Sequence, residues 1–240
     1  MPLLPEIAPE PLRTSDDVLV YQAFYSSLDD VRIAAWYCCP ARANGPSAAI
    51  LSLPGYQMDP PIPDRHTYGY RGFYVDAWRG VDVLLSRAEV DPMRIGVHGN
   101  SQGGGLTITT AAMRPEIRAA AAGAPYLCGF MDSIALTSTY PYEEIADYLR
   151  LHPERRREVE DTVAYFDGIN FADRITCPII VNVGLQDNVC PPETGYALFE
   201  RIRSTDKRLY PYDGHGHNAG RYLHQPILDE FFARHLGKKA

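Results

Sequence analysis

The chain has 240 residues, 45% hydrophobic and 22% charged, enough apolar material for one large globular domain with a substantial core. Its net charge of −7 argues against nucleic acid or an anionic membrane as main partner, because both reward clustered Lys and Arg. The one dense basic run, Arg155-Arg156-Arg157, is bracketed by Glu154, Glu158 and Glu160 and reads as the solvated face of a helix. No segment approaches the eighteen or so uninterrupted apolar residues of a membrane span. The opening MPLLPEIAPEPLR lacks the basic and apolar regions of a signal peptide. Five cysteines without regular spacing are not a disulfide framework, and no CxxC or HExxH suggests a metal. Reduced thiols in the cytoplasm are the expectation.

In chain order, Val18–Phe24 and Val31–Tyr37 are β-branched and aromatic, with a polar Ser-Ser-Leu-Asp-Asp turn between them, the pattern of a hairpin. Ala48–Leu53 is a buried-strand run ending at Pro54-Gly55. Tyr74, Ala77, Trp78, Val81, Leu84 and Leu85 have helical spacing, and Asp91-Pro92 breaks that helix before a short strand at Arg94–His98. A helix over Leu106–Met113 and a strand over Ile117–Ala122 follow. Residues from about 127 to 175 are more polar and mostly helical, like an insertion or cap. Pro178–Val183 is a strand, Glu193–Ile202 a helix, Arg208–Tyr212 a strand, and Ile227–His235 an amphipathic closing helix. Strands alternating with helices predict a single α/β domain, a mostly parallel sheet covered on both faces.

The chemistry concentrates at GVHGNSQGGG, residues 96–105. Gly99-Asn100-Ser101-Gln102-Gly103 fits G-x-S-x-G between a predicted strand and a predicted helix, the context of a nucleophile elbow. The competing reading is a tight turn whose serine merely caps the helix. A nucleophilic serine needs a base, and the base needs a third group to hold its tautomer. Asp187, just past the strand Ile179–Val183, and His215, just past the next strand, follow the order Ser…Asp…His. His217 competes with His215 for the base, and loop position favours His215. Asp213 lies nearer His215, but so short a connection orients the imidazole poorly. His98 reads as a packed residue within its strand, and His66, His152, His224 and His235 as surface or packing residues. For the oxyanion, the backbone N–H of Gln102 is one donor and that of Tyr56, in Leu53-Pro54-Gly55-Tyr56, the second. An ordinary strand-ending turn is the alternative for Gly55-Tyr56.

These segments resemble the acetyl xylan esterase/cephalosporin-C deacetylase family of carbohydrate esterases, over roughly residues 20–235. YRGFYVDAWRGVDVL is similar to that family's helix before the elbow and HGNSQGGG to its GGSQGG-type motif. YFDGINFADRITCPIIVNVGLQDNVCPPETGYALF resembles its acid-bearing segment, and LYPYDGHGH stands where it has its GHE motif. The resemblance implies an α/β-hydrolase fold with a small helical cap, a triad of Ser101, Asp187 and His215, and no cofactor or metal. The implied reaction is hydrolysis of short acyl esters, chiefly acetyl, of sugars or similar small alcohols. Two departures stand out: no Arg-Gly-Gln segment lies between Gln57 and Tyr70, and Gly216 replaces the Glu after the histidine. A homo-oligomer fits the resemblance, while the missing segment and short N-terminus depart from the family's hexameric form. Tyr126, Phe130 and Met131 are candidates to wall a small acyl pocket. Rival readings are an oligopeptidase-like amidase, a thioesterase, or a catalytically silent binding module.

Overall fold

The computed structural model describes residues 2–42, 45–55 and 64–237. Two sheets form. In the first, β1 (Glu6–Ile7) and β2 (Arg13–Thr14) line one edge of β3 (Val18–Ser26), which pairs along its other edge with β4 (Arg32–Pro40) in unbroken antiparallel register. This is the predicted hairpin, each strand running further than its apolar core. Its turn puts Asp29 and Asp30 at positive φ (54° and 59°), a conformation that Asp tolerates better than most residues. The hairpin rests on the helix α1 (Tyr70–Leu85): the Tyr25 hydroxyl donates to the Asp76 carbonyl at 2.9 Å, and Ser27 bonds the Asp76 carboxylate.

The second sheet is wholly parallel: β5 (Ser47–Leu53), β6 (Val90–Asn100), β7 (Ile117–Gly123), β8 (Ile179–Gly184) and β9 (Lys207–Tyr212), side by side in chain order. Connecting them are α1, α2 (Gln102–Met113), the trio α3 (Phe130–Leu136), α4 (Tyr142–Leu151) and α5 (Arg156–Ala164), and α6 (Pro192–Arg201); α7 (Arg221–Leu236) follows β9. This is the α/β-hydrolase fold. The central strands read as near-continuous apolar runs because both of their faces are covered, and every residue of β8 is buried.

The two faces are covered unequally. Val81 and Leu84 of α1, Ile108 and Ala111 of α2, and Leu198 of α6 pack on Ile95, Val97, Ala120, Val181 and Val183. The opposite face carries Phe231, Phe232 and Leu236 of α7 against Ala119, Ala121 and Ile180. Prediction of cover on both faces therefore holds for the centre of the sheet and not for its edge. In β5 the residues alternate between part-buried and exposed, and Ile50 keeps 44% of its surface exposed.

Residues 127–175, predicted as mostly helical, hold α3, α4 and α5 and three short 3-10 turns. Their apolar faces join Tyr68, Tyr70, Tyr74, Leu106 and Tyr126 in one aromatic-rich cluster. Tyr126 meets Tyr142 with ring centroids 4.7 Å apart, edge to face.

His224 of α7 is buried between Tyr210 and Tyr212, its Nδ1 2.9 Å from the Tyr212 hydroxyl. Burial disfavours the imidazolium and pulls its pKa down from 6.5 to about 4. A histidine held neutral adds stability above its ordinary pKa, and that contribution is lost as pH falls from 6.5 through 4. Thermal melts from pH 7 to pH 4 should therefore show a fall in Tm that is shallower in His224→Phe. Equal slopes would remove His224 from the acid response. Among the described residues, no helix is long and apolar enough to cross a membrane.

Candidate active site

Ser101 stands between the last residue of β6 and the first of α2, at φ 59° and ψ −120°. A non-glycine residue at positive φ is strained by about 1–3 kcal/mol, and the surrounding backbone holds it there. Ser101 N–H donates to the Gly123 carbonyl at 2.9 Å, while its own carbonyl accepts from Gly105 and Tyr126. The flanking glycines allow the crossing. A Cβ at Gly99 would lie 2.5 Å from the Gly103 carbonyl, and one at Gly103 would lie 2.4 Å from the Leu53 carbonyl oxygen. Strand, turn and helix thus have the elbow geometry that the motif and its context predict.

Gln102 is the first residue of α2 and is buried. The opening N–H groups of a helix have no intrahelical acceptor, and the helix dipole makes that end favourable for negative charge. Its side chain is fixed from two sides: the Tyr70 hydroxyl donates to Oε1 at 3.1 Å, and Nε2 donates to the Gly55 carbonyl at 3.4 Å. Tyr56, expected to supply the second oxyanion donor, lies outside the described residues.

Asp187 follows β8, with its side chain 1% exposed. Oδ1 accepts the N–H groups of Val189 (2.8 Å) and Cys190 (3.0 Å). Oδ2 lies 2.9 Å from Nδ1 of His217. The expected pairing of Asp187 with His215 is therefore corrected: His215 turns its Nδ1 to Oδ1 of Asn218 at 2.9 Å. The cause lies in the backbone. After the turn at Gly214 (φ 75°), the His215 carbonyl accepts the Gln186 N–H at 2.9 Å, extending the contact between the ends of β8 and β9. Gly184 lets the loop come this close, since a Cβ there would meet the Gly216 carbonyl oxygen at 2.0 Å. His215 is consumed in that seam, and the chain reaches Asp187 two residues later. Asp213, the other acid weighed, accepts from Gln186 Nε2 and the Gly214 N–H instead.

The remaining histidines sit elsewhere. His98 packs edge-on against Phe232 and His152 against Tyr148, while His235 meets Phe231 and His66 is exposed.

Cys190 was not singled out from the sequence. Its thiol is buried, and burial, helped by the charge of Asp187, pushes its pKa well up, with the nearby Ser101 side chain pulling the other way. It links the two halves of the site: its sulfur, an Asp187 carboxylate oxygen and a ring nitrogen of His217 lie within 4.8 Å of one another. Among the described residues this trio is the group of His, Cys, Asp and Glu side chains able to hold a metal ion. The only sequence signal was its place three residues after Asp187. The same loop is tied to the helical trio, because the hydroxyls of Thr137 and Thr139, just beyond α3, both donate to the Asn188 carbonyl.

The site sets a strained serine at a helix N-terminus and, on the loop after β8, a buried aspartate that fixes a histidine through Nδ1. Residues 61–235 match the family described as acetyl xylan esterase (AXE1). Acetyl esterase Axe7A of Xylanibacter ruminicola is 36% identical over 151 residues, covering 62% of this chain and 33% of that protein. The chain thus spans about a third of the length of that curated relative. The acetyl xylan esterase from Paenibacillus sp. R4 superimposes with a TM-score of 0.89 at 26% identity, covering 98% of this chain and 90% of that one. Acetyl xylan esterase 1 from Thermoanaerobacterium sp. gives 0.87 at 25% identity, covering 98% and 88%. With its elbow serine, its sheet and nearly three quarters of its length matched, the chain belongs to the acetyl xylan esterase family.

Proposed function

We propose that the protein is a serine esterase that removes short acyl groups, chiefly acetyl, from hydroxyls of sugars or similar small alcohols. Ser101 attacks the ester carbonyl, and His217 takes its proton through Nε2 and returns it to the leaving alkoxide. Asp187 holds His217 with Nδ1–H toward the carboxylate, which leaves Nε2 free to accept. The tetrahedral oxyanion forms at the N-terminus of α2, where the Gln102 N–H is one donor. We assign the second to the Tyr56 N–H. Water, activated by the same imidazole, then releases the acid from the acyl-enzyme. The observation that carries this reading is the 2.9 Å contact between buried Asp187 and His217, in a site whose serine is held in an elbow.

We also read α3–α5 as a cap that limits the acyl side. Tyr126 and Phe130 are already packed within the aromatic cluster, and the Tyr126 N–H is bonded to the Ser101 carbonyl, so little space is left to yield. Each added CH₂ gains about 0.8 kcal/mol of burial, whereas overpacking a tight core costs roughly 1–3 kcal/mol. The clash outweighs the gain beyond propionyl or butyryl. A chromogenic ester series from acetate to octanoate should show kcat/KM peaking at acetate or propionate and falling steeply afterwards. Acetylated xylo-oligosaccharides should be deacetylated, in keeping with the likeness to acetyl xylan esterases. A peak at hexanoate or longer overturns the deacetylase reading and leaves the serine hydrolase standing. Turnover of aminoacyl amides or acyl thioesters in preference to acetate would shift the bond class.

A further inference from the structure

We propose that Cys190, His217 and Asp187 form an inhibitory site for a soft divalent cation of the zinc and cadmium type, at which binding silences the catalytic histidine. The inference rests on the catalytic reading above for its effect on turnover, and on geometry alone for binding. Thiolate, imidazole and carboxylate together favour zinc-like ions over magnesium or calcium, which take oxygen ligands. Bonds of about 2.0–2.3 Å to a tetrahedral ion put its ligand atoms roughly 3.5 Å apart. The three side chains offer ligand atoms within 4.8 Å of one another, and Nδ1 and Oδ2 stand 2.9 Å apart, so small side-chain movements complete three sides of the shell. A water or the Ser101 hydroxyl fills the fourth. His217 has 31% of its side chain exposed and gives the ion an entrance, while Asp187 and Cys190 form the floor.

The proton balance explains the inhibition. The ion forms one bond each to sulfur, nitrogen and oxygen, and the thiol proton leaves for solvent. The imidazole proton on Nδ1 gives way to the ion and, by exchange with water, is regained on Nε2, so the ring stays neutral and one proton is released per ion. Nε2 is then protonated and has no lone pair for the Ser101 proton. The ion acts as an inhibitor because Asp187 already spends both oxygens, Oδ1 on two backbone N–H groups and Oδ2 on His217, and must give up the latter bond to bind it.

The test uses the full chain carrying Cys38→Ser and Cys39→Ser, so that the two neighbouring thiols of β4 do not contribute. Cadmium is followed by its ultraviolet sulfur-to-metal band, and zinc by inhibition of acetyl ester turnover. The expected result is one cadmium per chain, inhibition reversed by EDTA, and no effect of magnesium. In Cys190→Ser and in Cys190→Ala, each compared with its own metal-free rate, the band should vanish and the zinc needed for half-inhibition should rise at least tenfold. An unchanged zinc response in either folded variant, or no band from Cys190, overturns the proposal. The band needs no turnover, so a chain that binds cadmium but hydrolyses no ester would contradict the proposed function and not the site.

Discussion

Replacing Ser101 by Ala should lower kcat by roughly 10⁴-fold or more while leaving the protein folded, because the covalent route is lost and only binding and the oxyanion donors remain. Alanine removes one oxygen from a residue whose backbone bonds, to Gly123, Gly105 and Tyr126, are untouched, so the elbow keeps its shape. Its melting temperature should stay near that of the native chain. Retention of a tenth of the activity would end the reading of Ser101 as nucleophile. Loss of activity together with loss of the fold would instead make Ser101 a structural residue.

The second large effect separates two histidines. His217→Ala should be as severe as Ser101→Ala, since nucleophile and base act as one unit whose losses do not add. His215→Ala should leave turnover within about tenfold. What it loses is a hydrogen bond to Asn218, worth about 1 kcal/mol, and 1.36 kcal/mol corresponds to a factor of ten. Asp187→Asn should cost roughly 10³–10⁴-fold in kcat with the fold intact, because an amide facing Nδ1 can favour the wrong tautomer. Kinetics of the three single variants decide the matter. A severe His215→Ala and a mild His217→Ala would return the base to His215 and require the loop after β9 to rearrange before catalysis.

The elbow was legible because it is local: a strand that runs through a glycine and a serine straight into a helix leaves few alternatives, and the backbone clashes at Gly99 and Gly103 explain why glycine stands there. The parallel sheet was legible for the same reason, with apolar runs in β6, β7 and β8 marking strands covered on both faces. Choosing between His215 and His217 was a different problem. Both stand in the loop between β9 and α7, and the choice depends on which carbonyl of that loop meets the Gln186 N–H. That contact is 29 residues away in sequence and carries no side-chain signature.

Other misses have similar causes. The two-residue strands β1 and β2 have no alternation to detect and exist only because β3 offers an edge. The amphipathic pattern predicts the closing helix over Ile227–His235, yet α7 begins at Arg221 and carries Pro226 within its second turn. Buried His224, two residues before that proline, packs the early turn against Tyr210 and Tyr212 and offsets the missing hydrogen bond. Cys190 gave no warning because a lone cysteine after an acidic residue is common, and its importance arises from where the loop after β8 places it.

The central claim is that an acyl group passes through Ser101, with His217 moving the proton. It is tested most directly by acid-quenching the enzyme during turnover of an acetyl ester and locating any covalent adduct by peptide mass spectrometry. The account predicts a single acetyl group on the peptide containing Ser101, absent in Ser101→Ala and barely formed in His217→Ala, but formed normally in His215→Ala. An acetyl group on another residue, or full turnover with no adduct on Ser101, would contradict it.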